Sequence, residues 1–125
     1  MKVLLILCLF SLSVFAIDGS IIESNLDIAG GFSANIESKT ADYTMLVTDH
    51  VVLASTTIAG LTITLPAVSG VTGLIYHVKK IDASAGIITI DGNASETIDD
   101  VETATLTTQY ESIMIISDGA EWWKI

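Results

Sequence analysis

Residues 61–66 read LTITLP, and their alternation decides the fold class. Successive side chains of a strand point to opposite faces. Leu61, Ile63 and Leu65 then share one face, and Thr62 and Thr64 share the other. That pattern predicts a strand with one side turned to a core and one to solvent. Pro66 cannot donate to a sheet ladder, so the strand ends there.

Outward from this stretch, strand signals recur at intervals of about 8–12 residues. Upstream, YTMLVT (43–48) places Tyr43, Met45 and Val47 on one face, and VVLA (51–54) follows. Downstream, IYHVKKI (75–81) places Tyr76 and Val78 together, and GIITI (86–90) leads into the turn DGN at 91–93. Short pieces at TI (97–98) and ATLT (104–107) precede ESIMIIS (111–117) and EWWKI (121–125). Asp118-Gly119-Ala120 between the last two reads as a hairpin turn. No stretch carries a sustained helical stripe with caps. The expected fold is all-β: a small antiparallel β-sandwich or prism-like knob.

Composition agrees. Residues 17–125 contain 17 Ile, 7 Val and 14 Thr among 109 positions, a β-branched share that favours pleated sheet over helix. The first 16 residues, MKVLLILCLFSLSVFA, stand apart: Lys2, an apolar run, then Ala16. This is the layout of a cleaved secretory signal peptide, and its apolar run falls short of the roughly 20 residues a membrane span needs. It implies a secreted or extracellular product with no membrane association after cleavage. Residues 17–40, with Gly30-Gly31 and weak periodicity, read as a lead-in or short shaft. Residues 41–125 form the β domain.

Charge narrows the partners. Removing the leader leaves four lysines against fifteen acidic residues, a net charge of 4 − 15 = −11. So acidic a chain repels phosphate backbones, which argues against nucleic acid. The single cysteine, Cys8, lies in the leader, so no disulfide staples the mature domain. A domain this small is marginal alone and gains from burying a face against copies of itself.

Candidates for chemistry are few. His50 and His77 have no assignable nucleophile and orienting acid, and no G-x-S-x-G elbow occurs. Two histidines without cysteine fall short of a zinc shell. ETIDDVE (96–102) places Glu96, Asp99, Asp100 and Glu102 close together, with Asp91 and Asn93 upstream. Asp99, Asp100 and Glu102 are the foremost candidates for calcium, but no known calcium-loop spacing is present and a solvated acidic loop is the better reading. No cofactor is implied. Asn93-Ala94-Ser95 matches a glycosylation sequon in a surface turn.

The order of local motifs resembles a known family. ADYTMLVTDHVVLA (41–54), LTITLPA (61–67), IYHVKKIDASAGIITIDGNASETIDD (75–100) and LTTQYESIMIISDGAEWWKI (106–125) together resemble the C-terminal β domain of bacteriophage tail-fibre and minor virion structural proteins. The resemblance covers residues 41–125 without a large gap. It implies a compact β domain at a fibre tip, working as a homotrimer in structure or receptor attachment, and no enzyme. It also implies that Gln109, Tyr110, Asp118, Gly119 and Trp122 are fold-defining. A short lead-in and a secretory leader depart from that family's usual arrangement. A virion component and a secreted or surface-displayed protein built on the same knob both fit.

Three functions follow from these features. The first is a non-enzymatic structural or adhesive knob that oligomerises and attaches to a receptor or surface. The second is a carbohydrate-binding module using exposed aromatics, with Trp123 and Tyr110 as binding residues. The third and least supported is a small secreted hydrolase. Trp122 and Trp123 are neighbours in a strand and cannot share a face. Trp122 is expected inward. Trp123 is left for a subunit seam or a ligand.

Overall fold

The computed structural model describes residues 33–125. The leader 1–16 and the lead-in up to Phe32 lie outside the described residues. The compact unit runs Ser33–Ile125.

Nine strands and no helix make up the described part. They are β1 (Ile36–Lys39), β2 (Tyr43–Thr44), β3 (Val51–Ala54), β4 (Leu61–Thr64), β5 (Ile75–Lys80), β6 (Ile88–Asp91), β7 (Thr103–Leu106), β8 (Ser112–Ser117) and β9 (Trp122–Lys124). β1 falls in the segment read as lead-in. It is an extended piece at a sheet edge with no fully buried residue.

The strands form a five-stranded sheet in the order β1-β3-β5-β8-β9 and a four-stranded sheet in the order β2-β4-β6-β7. From β1 to β6 the chain alternates between the two sheets, laying one strand in each on every pass. Successive strands within a sheet therefore run parallel: β1 with β3, β3 with β5, β2 with β4, and β4 with β6. Parallel neighbours need a long crossover. Here the strand of the other sheet supplies it in place of a helix. β7 returns antiparallel beside β6, and β8 and β9 close the five-stranded sheet antiparallel. The sheets are mixed, which corrects the purely antiparallel expectation. The period-2 pattern that marks strands is the same for either pairing.

The inner faces of both sheets supply one core. Val52, Ala54, Tyr76, Val78 and Ile115 come from the five-stranded sheet, and Leu61, Ile63, Ile88, Ile90, Ala104 and Leu106 from the four-stranded one. Trp122 and Tyr76 are fully buried and meet edge to face, ring centroids 5.6 Å apart. Such aromatic pairs add roughly 0.5–1.5 kcal/mol beyond the area they bury.

Two local departures have identifiable causes. The strand expected over 43–48 stops after Thr44. Met45 is buried, but Val47 is exposed. The Asp49 carboxylate accepts the Leu46 N–H and the Tyr43 hydroxyl, each at 2.8 Å, and draws 46–49 into a turn. Such local side-chain capture of backbone competes directly with a sheet ladder. Second, Lys80 is fully buried on the inner face of β5. Its ammonium reaches Asp82 at 3.0 Å. Asp82 also accepts the Thr56 and Ser84 N–H groups, and its carboxyl is held well below the ordinary carboxylate range, first by Ser84.

Candidate functional site

With the inner faces committed to the core, the outer faces are what the domain presents. They differ in chemistry. On the four-stranded sheet, Thr62, Thr89 and Thr105 form one outward row and Thr44, Thr64, Asp91 and Thr103 another. Ile and Leu point in, Thr and Asp point out, as expected for a sheet with one wet side.

The five-stranded sheet is different. One outward row crosses four strands, with Ile36, Val51, His77 and Met114 in register, and continues to Ile125 just past β9, whose N–H reaches the Met114 carbonyl at 3.1 Å. Beside it run Ile75, Ile116 and Trp123. The third row, Ser38, Leu53, Lys79 and Ser112, is a more polar margin. Ile36, Ile75, Met114, Trp123 and Ile125 are all counted among the exposed large apolar residues. The chain has fifteen acidic side chains, yet none occupies an outward position of this sheet. An apolar face with no acidic residue at its outward strand positions, on a chain of net charge −10, is the candidate functional surface.

The two expected binding residues stand at different places on it. Trp123 lies in the second row, 39% exposed, and its indole N–H donates to Asp118 at 2.8 Å. The bond fixes the ring before any partner arrives, which lowers the ordering cost of contact. Tyr110 lies beyond the polar margin. Its carbonyl accepts the Lys79 ammonium at 2.9 Å, and its φ of +69° places it in the left-handed region. Lys79 pairs with Ser112, and Trp123 with Ile116. These anchors are four residues apart along β8, about 13 Å at the strand rise. Trp123 and Tyr110 therefore do not form one clamp.

The remaining expected positions have structural jobs. Gln109 donates its side-chain amide to the Ile81 carbonyl at 3.2 Å. Asp118 accepts the Ala120 and Glu121 N–H groups at 2.8 Å each and shapes the β8–β9 turn. Those contacts, the Ala120 N–H foremost and the Trp123 indole next, pull its carboxyl below the ordinary range. Gly119 has φ +95°, and a Cβ there would stand 2.5 Å from Thr72 Oγ1. Trp122 is wholly buried, and its indole N–H points to Glu96 at 3.4 Å. Glu96 also takes the Val68 N–H, so a single carboxylate ties the 66–74 connection to the last strand. Nothing in the sequence marked Glu96 for this, because its partners are distant in the chain.

The calcium candidates separate. Asp99 turns to Lys124, accepting its backbone N–H at 3.0 Å and facing its ammonium at 3.3 Å. Asp100 presents its backbone N–H to Glu121 at 2.8 Å. No cluster of three or more His, Cys, Asp or Glu side chains among the described residues could hold a metal. His77 lies outward on the apolar face, and its backbone N–H donates to the His50 backbone carbonyl at 2.8 Å.

The sequence does hold a signal for the apolar face. VVLA (51–54) and the IMII of β8 are apolar at every position, where a strand with one wet side should alternate. No protein-family model matches the chain, and no curated protein or solved structure matches it significantly.

Proposed function

We propose that this chain is a non-enzymatic structural or adhesive knob of the tail-fibre-tip kind, presented outside the cell and working by contact instead of turnover. One observation carries the reading: an apolar outer sheet face, with no acidic residue at an outward strand position, that includes a tryptophan pre-positioned by Asp118. Large exposed apolar patches mark interaction surfaces in soluble domains. Tryptophan is among the residues that dominate contact energy when buried against a partner. The resemblance to tail-fibre tips supplies the homotrimer as the working unit and a two-sheet sandwich as its body. The leader supplies the secreted or surface location. The unit attaches to a receptor, glycan or virion surface.

A second reading, a carbohydrate-binding module, is favoured by the fixed orientation of Trp123. Its weakness is the separation of Trp123 from Tyr110, which leaves one ring and no platform.

The test is retention of the purified chain on a glycan array, with Trp123→Ala and Thr105→Ala in parallel. Loss on Trp123→Ala alone supports contact through this face. Retention unchanged by Trp123→Ala removes that residue from the site. Turnover of an ester or glycoside panel, abolished by one serine or histidine substitution, would replace the reading with a hydrolase.

A further inference from the structure

We infer that the outer face of the five-stranded sheet is covered by a second copy of this chain. This rests on the contact reading above and names its first partner. The domain contains its own control. Two sheets of one chain share one core, yet the four-stranded sheet turns threonine and aspartate outward while the five-stranded sheet turns out Ile36, Val51, Leu53, Ile75, Met114, Ile116, Trp123 and Ile125. Strands that are apolar on both sides belong to sheets covered on both sides. Among the described residues, no element lies over this face: both sheets are accounted for and there is no helix.

Charge selects the occupant. Two copies of a chain with net charge −10 repel wherever their acidic surfaces meet. The five-stranded face offers an approach with less of that penalty, because its outward strand positions carry His77 and Lys79 as ionisable side chains and the Asp118 carboxylate at its edge is engaged by the Trp123 indole. A basic partner would be drawn instead to the acidic remainder of the surface. Interfaces between copies are also the more apolar kind. Five strands at about 4.8 Å spacing and six residues at about 3.3 Å rise give a face of roughly 24 by 20 Å, about 480 Å² in plan. That is below the roughly 800 Å² per partner of a standard interface, so association in the micromolar range is expected.

The experiment is sedimentation equilibrium of the full chain across the micromolar range. Wild type is expected to rise above monomer mass with concentration. Met114→Lys, at the middle of the long row, is expected to weaken association at least tenfold with an unchanged thermal midpoint. Thr105→Lys, on the opposite sheet, is expected to leave it unchanged. Ile36→Lys serves as a second face variant if Met114→Lys fails to fold. A monomer at every concentration, or equal weakening by Met114→Lys and Thr105→Lys, overturns the inference. A monomer that still loses glycan retention on Trp123→Ala overturns self-association alone and leaves the contact reading standing. An oligomer that Met114→Lys dissolves, with no retention on any surface, supports the inference while the attachment reading fails.

Discussion

Replacing each tryptophan in turn with phenylalanine separates core from surface in one experiment. Trp122 is fully buried, packs edge to face on Tyr76, and points its indole N–H at Glu96. Phenylalanine removes about 40 Å³ of ring, worth about 1 kcal/mol as cavity at 24 cal/mol per Å³. The lost apolar area adds about 0.8 kcal/mol, one buried methylene's worth. Losing the Glu96 contact adds about 0.5–1 kcal/mol, at the low end because the bond is long. The sum is about 2–3 kcal/mol, a drop of roughly 10–20 °C in midpoint for a domain of this size. Trp123→Phe keeps most of a half-exposed ring and loses one exposed hydrogen bond, so it is expected to cost less than about 1 kcal/mol. Thermal melts followed by far-ultraviolet circular dichroism measure both. The tryptophan left in Trp122→Phe should emit to the red and be quenched freely by acrylamide in dilute solution. The one left in Trp123→Phe should be shielded. Equal destabilisation by the two substitutions, or equal quenching, would refute the opposite-face assignment.

Three further outcomes are expected. Gly119→Ala places a Cβ on Thr72 at a φ of +95° and should cost about 1–2 kcal/mol in urea unfolding, whereas a neutral result would mean the β8–β9 turn can relax. The Asp118 carboxyl is held below its unfolded value, so its contribution is present above about pH 3.9 and lost as pH falls through the lower folded value. Acid titration should therefore release the Trp123 indole and shift its emission in that lower window, and Asp118→Ala should show the released spectrum already at neutral pH. Lys80→Met keeps the buried stem and should be more stable than Lys80→Ala by about 2 kcal/mol in urea unfolding; equal stability of the two would assign Lys80's role to its charge alone.

The residues show which parts of this domain were legible early. LTITL announced its buried and exposed faces one residue at a time, and Leu61, Ile63 and Leu65 are buried with both threonines outward. Asp118-Gly119 announced a turn, because aspartate captures nearby N–H groups and glycine accepts positive φ. YTMLVT was misleading after Thr44, since Asp49 competes for the backbone from the next segment. Lys80 was hidden because its partner Asp82 lies past the end of β5 and lets a lysine point inward. Glu96 was hidden because the groups it joins, Val68 and Trp122, are 28 and 26 residues away.

By itself the sequence determined what is local: the all-β class, most strand positions, and the inward or outward sense of their side chains. Period-2 alternation and turn chemistry act over a few residues, so they can be read from a few residues. Tertiary structure alone decided that the strands alternate between two sheets and pair in parallel, because alternation is the same for parallel and antiparallel neighbours. It also decided that apolar residues from β1, β3, β5, β8 and β9 gather on one outer face. VVLA and the IMII of β8 hint at it one strand at a time, but the face exists only once the register aligns Ile36, Val51, His77 and Met114 across the sheet.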